Sequence, residues 1–442
     1  MKTQLPKKWV ETTLGELALI QSGGTPSRSN KDYWDGDVPW IKISDIKDLY
    51  VNEATEYITQ EGLKNSAARI FPKGTILFTI FATIGRIGIL NFEAATNQAI
   101  AGITPTNKIN HKYLTYSLID LSNSILEQGK GVAQKNINQA ILKDTIIPLP
   151  PLFEQDRIVS KLDLLFGKLD SIKISMTNIP LLLKDFRQQV LTQAITGKLT
   201  EKWREEKVLS KWKNELAQNC CEKVQSGGTP KGSNFETSGI PFLKVYNIVK
   251  NQIDFDYNPQ FVSEMIQNSQ IKKSIAYPGD VIMNIVGPPL NKIAIIPNDY
   301  PEWNLNQAIT LFRTKKYLSN KFLYYFFCEG SAVNSLINET RGVVGQVNIS
   351  LSQCRNFLIP IPTLGEQDEI VKRVESLFAK ADAIEKQYKS LKEKIDNLPQ
   401  ALLHKAFKGE LTEQLDSDGD AKDLLKAIEE MRKNTISKKK KV

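Results

Sequence analysis

Histidine and cysteine are scarce in this chain of 442 residues. There are two histidines, His111 and His404, and four cysteines, none in a Cys-x-x-Cys pair. Cys220 and Cys221 are neighbours, while Cys328 and Cys354 stand alone. That supply leaves little for a zinc site, a disulfide framework or a Ser-His-Asp triad. Long apolar runs are also missing: a run such as Ile76 to Ile80 is far too short to span a bilayer. The opening MKTQLPKKWVETT lacks the apolar stretch of a secretory signal, so none is expected. No Gly-x-x-x-x-Gly-Lys-Ser/Thr loop for a nucleotide occurs; Gly23-Gly24-Thr25-Pro26 lacks the lysine and a following helix signal. What is present is ordinary globular material: 41% apolar residues and a net charge of 58 − 49 = +9. Length alone suggests about three domains. A mildly basic cytoplasmic protein, poor in catalytic equipment, is the reading.

The chain repeats itself. Gln21 to Pro26 recurs as Gln225 to Pro230, Pro39-Trp40-Ile41-Lys42 as Pro241-Phe242-Leu243-Lys244, and Asn97-Gln98-Ala99-Ile100 as Asn306-Gln307-Ala308-Ile309. The offset drifts through 204, 202 and 209, then settles at 212 from Gln134 onward. Ile147-Pro148-Leu149-Pro150 then matches Ile359-Pro360-Ile361-Pro362, Glu154-Gln155-Asp156 matches Glu366-Gln367-Asp368, and Gly197-Lys198-Leu199-Thr200 matches Gly409-Glu410-Leu411-Thr412. A period this long is a duplicated pair of domains, not a solenoid. The first two thirds of each unit vary in length; the last third does not.

The invariant third reads as a coiled coil. Leu165, Leu169, Ile172, Met176, Ile179, Leu183, Phe186 and Val190 alternate spacings of four and three, and Leu377, Ala381, Ile384, Tyr388, Leu391, Ile395, Leu398 and Leu402 repeat them. Such a narrow apolar seam calls for one partner helix, and the other copy is the natural one. Pro180 and Pro399 are expected to kink or restart the two helices. The variable parts alternate short β-rich runs with Gly, Pro and Asn clusters, with helices expected at Tyr113 to Leu126 and Asn320 to Leu336. The expected fold is α+β: two pseudo-symmetric globular domains, 1–150 and 204–362, separated by an antiparallel two-helix coiled coil from 151–203 and 363–442. Stiff prolyl segments join globule to helix, and Glu154 and Glu366 suit the helix N-terminal dipole. A seam of about 40 residues spans about 60 Å, so antiparallel pairing would make a rod with one reader at each end. On a duplex advancing about 34 Å per turn, two readers docked on its flanks would sit about one turn apart.

Leu149-Pro150-Pro151-Leu152-Phe153-Glu154-Gln155-Asp156-Arg157-Ile158, Arg187-Gln188-Gln189-Val190-Leu191 and Gly197-Lys198-Leu199-Thr200 resemble the hinge-helix motif of specificity (S) subunits of type I restriction-modification enzymes. Leu5-Pro6-Lys7-Lys8-Trp9, Gly23-Gly24-Thr25-Pro26 with Tyr33-Trp34, and Pro39-Trp40 resemble that family's target-recognition domains. The likeness covers nearly the whole chain. The second unit departs from it at Thr363, Gly365 and Leu403-His404-Lys405.

The resemblance implies a non-catalytic subunit that reads an asymmetric bipartite site in double-stranded DNA and directs N6-adenine methylation by two methyltransferase subunits, with two restriction/translocase subunits in the cleaving complex. It implies no cofactor or metal in this chain; S-adenosylmethionine, ATP and magnesium would belong to partners. It places subunit contacts on Pro151, Glu154, Gln155, Arg187, Glu366 and Gln367. The double prolines, Leu149-Pro150-Pro151-Leu152 and Gly287-Pro288-Pro289-Leu290, do not fit the Asp/Asn-Pro-Pro-aromatic segment of an adenine methyltransferase. A two-headed scaffold that binds protein partners is the alternative from another class.

Candidate DNA contacts come from side-chain and backbone chemistry. Glycines permit close backbone approach, and amides and hydroxyls can meet phosphate. Ser22, Gly24, Thr25, Ser27, Arg28 and Lys31 are candidates in the first copy; Ser226, Gly228, Thr229, Lys231 and Ser233 in the second. The same loop also reads as a structural turn. Lys42 and Lys244 follow a Pro-aromatic pair, Arg86 and Lys292 precede a strand, and Arg341 adds a further cation. Gln134 and Gln346 suit a groove or a strand cap, Asn97-Gln98 and Asn306-Gln307 read as buried pairs, and the tail Lys438 to Lys441 as a solvated end. Phosphate contacts dominate non-specific affinity, so +9 over 442 residues predicts weak, salt-sensitive binding by the chain alone.

Overall fold

The structure is a computed structural model and describes residues 5–81, 83–128, 137–209, 211–232, 235–339 and 348–439. Its contacts divide the chain into two bodies. The first is 1–176 with 390–442, and the second is 177–389. Each therefore joins a globular part to one segment from each copy of the helical third. The principal helices are α1 (His111–Gln128), α2 (Leu152–Met176), α3 (Ile179–Ile195), α4 (Asn320–Glu329), α5 (Leu364–Phe407) and α6 (Ala421–Lys439).

Both globular parts are mixed α/β and built to one plan. In the first body Ala18–Ser22, Ile100–Pro105, Ile76–Thr79 and Ile87–Leu90 lie side by side antiparallel, with Tyr50–Val51 added parallel at the edge. A second sheet orders Glu56–Ile58, Trp34–Ile41, Ala94–Thr96 and Ile70–Phe71. In the second body Cys221–Ser226, Ile309–Thr314, Val281–Asn284 and Ile293–Ile295 repeat the first sheet, and Phe261–Val262, Ile240–Leu243 and Asn304–Leu305 the second. The parallel pairing of Trp40 with Ala95 recurs as Phe242 with Asn304. Runs such as Ile76–Thr79 and Val281–Asn284 are buried at every position, which explains their continuous rather than alternating hydrophobicity. The second expected helix is shorter than its sequence suggests. It stops at Glu329 because Gly330 turns left-handed (φ +89°), and a separate helix covers Ser331–Glu339.

The helical segments pair antiparallel inside each body. In the first, Ile158 and Leu162 of α2 pack with Leu403, Ala406 and Phe407 at the end of α5. In the second, Val190, Leu191 and Ala194 of α3 pack with Ile370, Val371 and Val374 at its start. Arg187 joins Asp382 at 2.7 Å and Glu385 at 2.9 Å. The break expected near Pro180 falls at Thr177-Asn178, whereas α5 continues without a break through Pro399. The seam is narrower than expected. Leu162, Leu169, Met176, Leu183 and Val190, seven apart, are buried, but Ile172 and Phe186 are exposed, as are Ile384, Leu391 and Leu398. This pair thus encloses one of the two lines of a heptad face and leaves the other on its rim.

The globule-to-helix joint is built on buried polar side chains. Glu154, Gln155, Glu366 and Gln367 are fully buried. The indole of Trp9 donates to Glu154 Oε2 at 2.9 Å, and that of Trp212 to Glu366 Oε2 at 2.9 Å. Gln155 donates to the Pro150 carbonyl and accepts from the Asn110 amide; Gln367 donates to the Pro362 carbonyl and accepts from the Ser319 amide. Each glutamine thus holds the prolyl strand and the entry to α1 or α4 together. The hydroxyl of Thr200, from the Gly-Lys-Leu-Thr turn after α3, donates to Glu366 Oε1 at 2.8 Å. In the first body burial pushes the Glu154 carboxyl above its ordinary range, and the Trp9 bond only partly offsets this.

The second joint should be unforgiving. Glu366→Ala strands the half-buried Trp212 and buried Thr200 donors and should cost about 2–6 kcal/mol, at about 1–3 kcal/mol per donor. Glu366→Gln, which keeps an acceptor, should cost clearly less in thermal denaturation.

The first body also carries a C-terminal tether. Arg157 grips Asp418 with two bonds of 2.6 Å and donates to the Glu413 carbonyl. Beyond it Ala421 and Ile428 of α6 are buried in the first core, and Arg432 reaches the Gly15 carbonyl. The Arg157 bond holds the Asp418 carboxyl below its ordinary range. Its stabilisation is therefore present above the ordinary carboxylate range and fades as pH falls through the lowered value. Asp418→Asn should weaken the tether at neutral pH and flatten that acid dependence. Amide exchange across residues 413–432 should speed up in the variant at pH 7 and match the native chain at low pH.

Candidate nucleic-acid interface

The Gly-Gly-Thr-Pro segments are built into the sheets. Gly23 and Gly24 donate to the carbonyls of Ile100 and Thr96, and Gly227 and Gly228 to those of Ile309 and Leu305. A Cβ on Gly23 would collide with Thr96 and Asn97, one on Gly24 with the backbone of Ala67 and Ala68, and one on Gly227 with Leu305 and Asn306. Their amides are engaged inside the fold, so Gly24 and Gly228 offer no free N–H to phosphate. Ser22 accepts from Gln139 at 2.7 Å, and Ser226 lies 3.2 Å from the Thr310 hydroxyl. The glycines are therefore structural residues, and in this loop the polar side chains C-terminal to them remain as the candidates for phosphate contact. Gly23→Ala or Gly24→Ala should cost about 3 kcal/mol or more through overpacking. Gly167→Ala, on α2 with open space around it, should slightly raise the melting temperature.

Those side chains are exposed. Ser27, Arg28 and Lys31 in the first body, and Thr229 and Lys231 in the second, face solvent; Thr25 is half-buried and bonded to Gln98. Ser233 and Arg341 lie outside the described residues, as do Gln134 and Gln346. Asn97-Gln98 and Asn306-Gln307 are not buried pairs. Asn97 is half-buried and accepts from the Ala99 amide two residues on, and Gln98 and Gln307 are exposed. These are turns, which Asn favours for that local bond.

The basic positions after the Pro-aromatic pair converge in each body. The Lys42 amide donates to Asp45, and Arg86 reaches the Ile43 carbonyl at 3.5 Å. The Lys244 amide donates to Asn247, and Lys292 reaches the Val245 carbonyl at 3.2 Å. So Lys42 and Arg86 bond to one turn, and Lys244 and Lys292 to its equivalent. Around Lys42 the first body adds a network the sequence did not disclose. Glu56 pairs with Lys42 and with Arg28, each at 2.6 Å. Lys42 and Arg28 hold its carboxyl below the ordinary range. The Arg28 guanidinium lies 3.6 Å from the Trp34 ring centre and 5.1 Å from that of Trp40. Both indoles are themselves fixed, Trp34 to the Ser27 carbonyl and Trp40 to that of Gly24.

The residues expected to meet other subunits sit elsewhere. Pro151, Glu154, Gln155, Glu366 and Gln367 are buried in the joints, and Arg187 is committed to Asp382 and Glu385. The correction is physical: a fully buried carboxylate bonded to an indole has no surface to offer a partner.

A family model described as the type I restriction modification DNA specificity domain matches residues 6–178 and again 210–393. This chain belongs to that family. It is a DNA specificity subunit of the type I restriction-modification class, and non-catalytic by that membership. The EcoBI specificity subunit of Escherichia coli is 29% identical over 92% of this chain and 87% of that protein. The EcoKI specificity subunit of E. coli K12 is 28% identical, covering 93% and 91%. Among solved structures, the HsdS subunit of Thermoanaerobacter tengcongensis aligns with a TM-score of 0.66 at 20% identity, over 92% of this chain and 99% of that one, a likeness of fold. No helix among the described residues of the specificity subunit is long and apolar enough to cross a membrane.

Proposed function

We propose that this specificity subunit works in the cytoplasm and reads an asymmetric, bipartite site in double-stranded DNA. Residues 1–150 read one half-site and residues 204–362 the other. The helical segments 151–203 and 363–442 set the spacer between them. Two methyltransferase subunits perform N6-adenine methylation, and two restriction/translocase subunits join where cleavage occurs. The observation that carries this reading is the repeated basic turn, Lys42 with Arg86 and Lys244 with Lys292, borne on one sheet plan with different neighbours. Equivalent cations suit the phosphates that any sequence offers, and dissimilar neighbours suit different bases.

The partner docking surface is argued from the apolar rim of the helices. Ile172, Ile174, Leu391 and Leu398 are exposed in the first body, and Leu181, Leu182, Phe186 and Ile384 in the second. Exposed apolar stripes of that kind suit helices of another subunit. They are better contact candidates than the buried joint residues.

The methylated motif in genomic DNA from cells carrying the complex tests this reading. A motif of two half-sites separated by a fixed spacer is expected. Exchanging residues 1–150 for another reader should change one half-site. Removing one heptad from each helical segment should change only the spacer. A purified complex that fails to distinguish cognate from scrambled duplex would favour a protein-binding scaffold instead.

A further inference from the structure

The two readers share one cation and differ in what surrounds it. Pro39 pairs with Tyr57 across its strands, and Pro241 pairs with Phe261. That register places Glu56 of the first body where the second has Gln260, with Lys42 matched to Lys244. Lys42 is ion-paired to Glu56, whereas Lys244 lies 4.4 Å from the ring centre of Phe235 and has no carboxylate ion pair among the described residues. The loop offset of 204 matches Arg28 to Gly232. The second body therefore keeps the lysine and lacks both the arginine and the glutamate.

Groups common to both readers suit what every half-site has in common, the phosphate backbone. Groups private to one reader suit what makes its half-site different. Arg28 has the geometry of a base reader. Its guanidinium is stacked on Trp34, tied by one nitrogen to Glu56 and still 57% exposed. A planar fork fixed on two sides yet open to solvent loses little entropy when it binds. The arginine fork matches the O6 and N7 acceptors of guanine in the major groove. Lysine, a mobile point charge, does not carry that shape.

We infer that Arg28 is a guanine-reading residue of the first reader, that Glu56 positions it, and that Lys42 and Lys244 are the shared phosphate contacts. This rests on the DNA-reading function proposed above. Glu56 acts through Arg28 and touches no base itself.

The test uses the complex assembled with methyltransferase subunits. The probes are duplexes bearing the motif recovered from methylated genomic DNA, with each base pair of the first reader's half-site replaced in turn. Arg28→Ala should weaken cognate binding about ten-fold or more and abolish discrimination at a single G·C position. Its salt slope should stay that of the native complex. Arg28→Lys should lose the same discrimination although it keeps the charge. Glu56→Gln should blunt discrimination at that position without making the salt slope shallower. Lys42→Ala should weaken all duplexes alike and reduce the slope by about 0.9. Unchanged melting temperatures check folding.

Arg28→Ala with a uniform loss and a shallower slope would make Arg28 a phosphate contact and overturn the inference while leaving DNA reading intact. Native discrimination at every position in Arg28→Ala would overturn it as well. A native complex that does not separate cognate from scrambled duplex would overturn the proposed function and this inference with it.

Discussion

A buried carboxylate-carboxamide pair at the head of a long helix is the constraint on which each half of the molecule depends. Glu154-Gln155 and Glu366-Gln367 sit where prolyl strand, reader and helix meet, and none has any exposed surface. An isolated buried carboxylate is costly, so the site persists only while its donors are in place. Those donors come from far along the chain. For Glu366 they are Trp212, near the start of the second reader, and Thr200, from the turn that ends the other copy's helix. The joint thus ties together the beginning of a reader, its end, and the partner helix. This explains why the third of the repeat containing it stays in register at 212 while the readers change length. An insertion in a reader's surface loops leaves the joint alone; one between Pro150 and Thr200 would move donor from acceptor.

The first joint solves the same problem with the same residue types. Glu154 keeps the tryptophan bond, and Thr412, the counterpart of Thr200, lies beside it. Its carboxyl is pushed up by burial. Nearby, the Arg157 fork on Asp418 anchors the chain just before α6, and α6 packs into the first core. The corresponding position in the second copy is Glu369, which pairs with Arg373 on its own helix. Both joints are closed by a buried glutamate, and only the first has the Arg157–Asp418 tether beside it.

The architecture is legible in the sequence because duplication makes it visible twice. The offset, the prolyl hinge, the antiparallel helical third and the α+β readers all emerge from matches that a single copy would not disclose. What is not legible depends on three-dimensional enclosure. Glu154 and Gln155 look like surface residues of a helix start, and nothing in their spacing reveals the indole of Trp9, 145 positions earlier. The signal is present: Lys8-Trp9 and Lys211-Trp212 recur with the joint residues, but a recurring tryptophan does not name its acceptor. The seam promises more burial than it delivers for a similar reason. Heptad spacing marks both lines of a coiled-coil face, and only packing decides which line a single partner covers. Ile384 and Leu391 therefore fit the pattern and remain exposed.

The site obeys the same division. Positions that recur can be found by matching the copies, and this is how Lys42, Lys244, Arg86 and Lys292 stand out. Matching cannot find Glu56, because its value as a signal lies in its absence from the second copy, where Gln260 stands. A duplicated reader that must recognise two different half-sites has to concentrate its differences where bases are read and its identities where backbone is held. The shared turn supplies the second requirement, and an arginine clamped between a tryptophan and a glutamate supplies a rigid, asymmetric solution to the first. Rigidity is the decisive property. A guanidinium free to reorient would donate to phosphate as readily as to guanine, and the first reader would then add affinity without adding sequence information.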